Sequence, residues 1–273
     1  MHLSAIETWC VAGLARALCR ILELDLRLSG QWALVTGASA RIGKAVARVL
    51  IEEGCDVVVN ARNQERLQAA ATSLGAIGAI SADVSTEEGA SCLMSEIAKK
   101  FGRLDILICN VGSGRSLPAI EETAAEWERM LRLNLYSAAL MVRAAASLLE
   151  RGGGSVVCIS SICGLEALGC PLAYAAAKAA LNSYVRGAAR PLAKRAIRIN
   201  AVAPGNVIFP GSIWEQKLSE APAQVEEMLN REVSLARLGS AEEISACVAF
   251  LASSRASFMT GEVVVVDGGQ VRS

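Results

Sequence analysis

The sequence predicts an α/β fold: a single doubly wound parallel sheet preceded by an amphipathic helical extension. Three observations carry that prediction. Short, continuously apolar runs such as Ala33-Leu34-Val35, Ile106-Leu107-Ile108 and Val156-Val157-Cys158-Ile159 recur along the chain, with longer helical stretches between them. A run that is apolar on consecutive residues suits a strand covered on both faces, which is the setting of a parallel sheet. No linker or low-complexity stretch interrupts this alternation, and 273 residues suit one domain of this class. The expected division is an extension over residues 1–24 and a single domain over 25–273.

In the extension, Ile6, Trp9, Cys10, Leu14, Leu18, Ile21 and Leu22 recur at three- and four-residue spacing. That is the stripe of an amphipathic helix. Charges interrupt it too often for a bilayer span of about 20 apolar residues, and no basic start with a clean apolar run marks a secretory signal. Docking on its own domain or on a neighbouring subunit is the favoured role. Contact with a membrane surface and a mobile extension are the alternatives.

From Leu28 the elements follow in order. Ala33–Val35 is a strand, and Gly-rich punctuation leads into a helix over Lys44–Glu53 that Gly54 stops. Asp56–Asn60 is the second strand, Gln64–Ser73 a charged helix and Ala76–Ala82 the third strand, followed by a helix ending at Lys100. Leu104–Cys109 and Ser155–Ile159 are buried strands on either side of a long Ala-rich helical region. A second Ala-rich helix, Pro171–Ala193, leads to strand Arg198–Val202; helix Ala241–Ala252 and strand Val263–Val266 close the chain.

Composition removes several function classes. Twenty-seven basic and 27 acidic residues balance, so no surplus charge serves a nucleic-acid partner held by phosphate neutralisation. The one histidine, His2, lies at the end of the chain. A Ser-His-Asp triad, a His-ligated metal and an imidazole base are therefore not expected, and Tyr, Lys, Ser, Asp, Glu or Cys must move protons. Nine cysteines without a C-x-x-C pair, most of them in apolar runs, read as reduced, buried thiols of a cytoplasmic protein.

Ligands of doubly wound sheets bind outside the carboxyl ends of the strands. After the first strand the chain reads Thr36-Gly37-Ala38-Ser39-Ala40-Arg41-Ile42-Gly43. Glycines between a strand and a helix let backbone N–H groups approach a pyrophosphate at the positive helix end, so dinucleotide binding is expected here. Asp83-Val84 follow the third strand and Asn110-Val111-Gly112 the fourth. Asn134 stands in Leu133-Asn134-Leu135-Tyr136, and Ser161 lies 13 residues before Tyr174. Tyr174 and Lys178 form Tyr-x-x-x-Lys, Pro204-Gly205 end the sixth strand, and Val266-Asp267-Gly268-Gly269 lie near the end of the chain. Tyr174 and Lys178, four apart, share one helix face.

This ordered set, over roughly residues 28–270, resembles the short-chain dehydrogenase/reductase family, in pattern closest to its 3-oxoacyl reductase-like members. The resemblance implies a Rossmann-like fold and a catalytic tetrad of Asn134, Ser161, Tyr174 and Lys178. It further implies a cofactor cradle of Gly37, Ser39, Arg41, Ile42, Gly43, Arg62, Asp83, Val84, Asn110, Gly112, Tyr174, Lys178, Pro204, Gly205 and Val207. In that scheme Ser161 holds the carbonyl oxygen and Tyr174 transfers the proton as hydride passes. Lys178 binds the nicotinamide ribose and, as an ammonium, favours the phenolate. Asn134 holds a water that links Lys178 to solvent. A homotetramer or homodimer formed through the long Ala-rich helices is implied as well.

The end of the second strand, Val59-Asn60-Ala61-Arg62, has no carboxylate to hold a ribose 2′-hydroxyl, while Arg62, with Arg41, suits a 2′-phosphate. NADP(H) is the expected cofactor. Two residues depart from the family pattern: Arg41 replaces the middle glycine of the phosphate loop, and Phe209 a threonine that contacts the nicotinamide amide. An arginine at positive φ there would cost about 1–2 kcal/mol. Residues 208–230 are expected to cover the pocket. Leu165, Phe209 and Trp214, with Ser161 and Tyr174, are candidate contacts for an apolar or mixed ketone or alcohol. The expected activity is NADP(H)-dependent carbonyl reduction or alcohol oxidation. A 3-oxoacyl-thioester reductase is the rival, and a catalytically silent nucleotide-binding scaffold the alternative of another class.

Overall fold

A computed structural model describes residues 25–272; the helical pattern of residues 1–24 lies outside the described residues. Seven parallel strands form one sheet in the order β3-β2-β1-β4-β5-β6-β9. They are β1 (Trp32–Thr36), β2 (Asp56–Ala61), β3 (Gly78–Ser81), β4 (Ile106–Cys109), β5 (Ser155–Ile159), β6 (Arg198–Pro204) and β9 (Val263–Val266). The consecutive apolar residues divide between two cores, as a sheet covered on both faces requires. Leu34, Leu107, Val156 and Cys158 face one core, with α3 (Glu87–Lys100), α5 (Ser137–Leu149) and α6 (Leu172–Ala193). Val35, Ile106, Ile108 and Val157 face the other, with α1 (Arg41–Glu52), α2 (Gln64–Leu74) and α9 (Ala241–Ala252).

The sequence placed every strand of this sheet, with ends shifted by up to two residues. Three features gave no periodic signal. Between α4 (Ala124–Leu131) and α5, residues Arg132–Tyr136 form a π-turn. A two-residue pair, β7 (Val207–Ile208) with β8 (Gly239–Ser240), forms a second small sheet. The expected lid resolves into α7 (Ile213–Glu220) and α8 (Pro222–Glu232). One expectation is corrected. Cys92 is exposed and Cys163, Cys170 and Cys247 are half-buried, because they lie on helices and loops rather than on strands. The strand cysteines Cys109 and Cys158 are buried.

Arg198 ties the far end of the sheet together. Its guanidinium donates to the carbonyls of Leu251, Ala252 and Ser253 at the carboxyl end of α9, to Met259 O and to Ser155 Oγ, at 3.0–3.4 Å. A cation there satisfies carbonyls that a helix end leaves unpaired. Arg198→Met should lower folding stability by about 3 kcal/mol. An unchanged midpoint in urea unfolding would contradict that assignment.

Candidate active site

The strand order reverses between β1 and β4, so their carboxyl ends open a crevice. Thr36 and Asn110 shape its floor. The Thr36 hydroxyl donates to Ile108 O and accepts from Asn110 N, both at 3.0 Å. Asn110 Nδ2 donates to Thr36 O and Gly37 O at 3.1 Å. Asn110 therefore acts as a positioning residue for the glycine loop, a role its place in the motif did not reveal.

The loop is built to bring backbone close to a ligand. Gly37 has φ +64°, and a Cβ at Gly43 would stand 2.4 Å from Asn110 Nδ2 and 2.5 Å from Gly37 O. The amino end of α1 has no side-chain cap and no acid in its first turn, so its N–H groups remain available to an anion. Ser39 is half-buried and Arg41 exposed at this end. These features fit a dinucleotide pyrophosphate. Arg41 has φ +59°, the strained conformation that the sequence made conditional. Its guanidinium lies 5.6 Å from the centroid of the Phe209 ring. The two departures from the family pattern are thus one contact, a cation–π pair between the phosphate loop and the segment after β7.

At the edge of the crevice, the exposed Arg62 lies 3.8 Å from the Asp83 carboxylate. Asp83 accepts from Ser85 N at 3.0 Å and Ser85 Oγ at 2.6 Å. Despite the opposing effect of partial burial, these bonds, with Arg62 and Arg132, hold its pKa below the ordinary value. Val84 beside it is buried. Gly205 packs so closely on the Asp267 backbone that a Cβ would stand 2.7 Å from its Cα. Val207 is buried in the small β7–β8 pair.

The four tetrad candidates come together at the ends of β4 and β5. Ser161 caps the short turn Ile162–Gly164, its Oγ accepting from Cys163 N at 3.2 Å. Ser161 also lies close enough to the Tyr174 phenol to lower its pKa. Lys178, one turn further along α6, is buried and donates from Nζ to Ile159 O at 2.8 Å. Nζ lies 5.9 Å from the centroid of the Tyr174 ring. Asn134 sits in the π-turn with Oδ1 accepting from Ser113 N and Nδ2 donating to Ser113 O and Met130 O, all at 3.1 Å. A Cβ on Gly112 would stand 2.7 Å from Asn134 Oδ1 and 3.2 Å from Lys178 Nζ, so this glycine lets the two approach.

Electrostatics correct one expectation. Burial raises the Tyr174 pKa above its ordinary value, against the lowering effect of the neighbouring Ser161 hydroxyl. Burial also lowers that of Lys178 to about 8, against the nearby thiols. Desolvation disfavours both charged forms, so the phenol keeps its proton instead of being drawn to the phenolate by the lysine. Such a phenol is poised to give a proton.

The substrate candidates divide. Phe209 stands beside Arg41 at the crevice. Leu165 packs against the core under α6. Trp214 joins the lid's own cluster with Val225, Leu229 and Val233, and Lys217 Nζ lies 4.7 Å from the centroid of its ring. Among the described residues, no group of three or more His, Cys, Asp or Glu is arranged to hold a metal, and no helix is long and apolar enough to cross a membrane.

Residues 37–270 match the family model described as enoyl-(acyl carrier protein) reductase. The chain is 38% identical over 256 residues to a tropinone reductase homolog of Arabidopsis thaliana, covering 91% of this chain and 96% of that protein. It is 35% identical over 245 residues to a 3-oxoacyl-[acyl-carrier-protein] reductase of Staphylococcus aureus, covering 87% and 96%. Among solved structures, L-sorbose reductase from Gluconobacter frateurii, complexed with NADPH and L-sorbose, superimposes with a TM-score of 0.86 at 29% identity, covering 92% and 100%. A 7α-hydroxysteroid dehydrogenase complexed with NADH and 7-oxo glycochenodeoxycholic acid gives 0.82 at 30%, covering 91% and 97%.

Proposed function

The chain belongs to the short-chain dehydrogenase/reductase family, and from that membership we propose that it is an NADP(H)-dependent carbonyl reductase or alcohol dehydrogenase with Tyr174 as its acid and base. The observation that carries this reading is the convergence of Ser161, Tyr174, Lys178 and Asn134: Ser161 at the end of β5, Tyr174 and the buried Lys178 one turn apart on α6, and Lys178 Nζ facing Asn134 across Gly112. When bound, the nicotinamide cofactor supplies or accepts the hydride. Tyr174 gives its proton to the carbonyl oxygen, and the Ser161 hydroxyl donates to the same oxygen as negative charge develops there. Lys178, fixed on Ile159 O, places its positive charge beside the phenol and next to Asn134 across Gly112. The glycine loop and the free end of α1 hold the pyrophosphate, and Arg62 the 2′-phosphate.

Preference for NADP(H) rests on Arg62, since one solved relative carries NADPH and another NADH. Arg62→Glu should lower kcat/KM for NADPH by about 10–100-fold relative to that for NADH. An unchanged ratio of the two efficiencies would sink the assignment. The direct test of the function is a carbonyl panel run with each cofactor. Turnover of ketones with NADPH supports the reading; binding of NADPH without oxidation across the panel supports a silent scaffold. A thioester substrate would favour a basic entrance for its carrier, and is less favoured because the candidates Arg115, Arg231 and Lys217 are scattered in sequence, Arg231 pairing with Glu232 and Lys217 lying over Trp214.

Assembly as a homotetramer or homodimer belongs to this proposal. An apolar groove between α5 and α6, lined by Val142, Ala146, Tyr184, Ala188 and Leu192, supports it. Sedimentation should show an oligomer at micromolar concentration, and monomer alone would contradict it. A cytoplasmic location is proposed from the free thiols.

A further inference from the structure

We propose that Glu122 is a positioning residue for Tyr174: its carboxylate ties the first turn of α6 to the segment that crosses the phenol. The catalytic consequence, though not the tie itself, rests on the reductase reading. α6 starts from Pro171, which supplies no side-chain cap, so the first amides of the helix lack a local acceptor. The acceptor comes from a carboxylate 51 residues away. Ala173 N, immediately before Tyr174, donates to Glu122 Oε1 at 3.2 Å. Negative charge also suits the positive end of a helix. The other oxygen, Oε2, accepts from Ile120 N at 2.8 Å. One half-buried carboxylate thus joins the catalytic helix to the loop after β4.

That loop, residues 112–122, touches the site along its length. Its start lies at the tetrad candidates, where Gly112 separates Asn134 Oδ1 from Lys178 Nζ. Gly114 passes the phenol, and a Cβ there would stand 3.6 Å from Cε1 and Cζ of Tyr174. The middle is stitched to α4: Arg129 donates to Arg115 O at 2.7 Å, and Ser116 Oγ to Glu126 Oε1 at 2.6 Å. Glu122 closes the far end on α6. A strained residue marks this closure. Ile120 has φ +72°, which a β-branched residue rarely adopts, and its side chain is 90% exposed. Packing of so exposed a side chain cannot hold that backbone, whereas the bond from its N–H to Glu122 can. Strain of this kind persists where the surroundings over-determine the backbone, and it gathers at functional sites. Tyr174 stands in the first turn of α6, where an uncapped helix frays. Misplacing a reacting group by about 1 Å can cost about 10²-fold in rate, so the tie bears directly on proton transfer.

Substitutions in the full chain test this. Glu122→Leu should lower kcat about tenfold or more, with KM for the carbonyl and Kd for NADPH within about threefold of wild type. Glu122→Gln keeps an oxygen for Ala173 N and should return kcat to within about threefold of wild type. Glu121→Leu, at the neighbouring exposed carboxylate, should change nothing. Hydrogen exchange on peptides spanning residues 172–178 reads the tie without turnover. The first-turn amides should exchange about tenfold faster in Glu122→Leu than in wild type. A folded Glu122→Leu with wild-type kcat would make the carboxylate a structural cap alone and overturn the proposal, whatever its urea midpoint. Unchanged exchange, or a Gln variant as impaired as the Leu variant, would overturn it too. If Glu122→Leu does not fold, Glu122→Asp decides, because its carboxylate is one methylene short of Ala173 N: a lowered kcat supports the proposal and a full kcat overturns it. A wild-type protein inert toward every carbonyl would count against the reductase reading. Faster exchange in Glu122→Leu would then still support the tie, and unchanged exchange would still overturn it.

Discussion

Tyr174→Phe should reduce carbonyl turnover by roughly 10²–10⁴-fold while leaving NADPH affinity within a few fold. The substitution removes one oxygen, the phenol hydroxyl beside Ser161. The ring stays, so the packing against Gly114 is retained, where a Cβ would stand 3.6 Å from the tyrosine ring. Loss of turnover with cofactor binding intact assigns the proton to this residue. Undiminished turnover would refute the mechanism outright, and loss of both would point to a folding defect. Because burial holds Lys178 to about 8, its charge disappears as pH rises through that value. Carbonyl reduction should fall over the same range, and in Lys178→Met the residual activity should lose that ionisation.

Gly164→Ala should cost about 10² in kcat, although the added group is a single methyl. The new Cβ would stand 2.6 Å from the carbonyl carbon of Lys178 and 2.8 Å from the nitrogen of Ala179. Both atoms are backbone of α6, so no side chain can swing aside. Either the turn lifts away, taking Ser161 off the phenol, or α6 shifts with Tyr174 and Lys178. Both outcomes spoil the same alignment. NADPH binding to the glycine loop should be retained, and a variant with wild-type kcat would show that the turn does not position Ser161.

Much of this molecule is legible in its sequence. The strands were readable because each is a short run of apolar residues between turn-forming residues, and the meeting of the four tetrad candidates because they stand at motif positions. What escaped depends on contacts distant in sequence. Arg198 reads as an ordinary basic residue at the start of a strand; its acceptors lie 43 to 61 residues away. Asn110 was readable as part of a motif but not as the brace of Gly37, since that needs β1 and β4 side by side. The expected phenolate failed because proximity of Lys178 was visible in the spacing while burial was not. Trp214, a candidate substrate contact by sequence, packs within the lid cluster, a contact set by α8 and the segment after it rather than by its own position.

The π-turn at Arg132–Tyr136 also sets the phase of everything that follows it. One extra residue in a helical turn rotates the downstream face by about 100° relative to an unbroken α-helix. The buried stripe of α5 downstream of it comprises Met141, Val142, Ala145, Ala146 and Leu149. Shortening the chain by one residue there would regularise the hydrogen bonds and turn the stripe toward water. Deletion of one residue within Arg132–Tyr136 should therefore lower folding stability far more than an exposed-face substitution in α5, as urea unfolding would show.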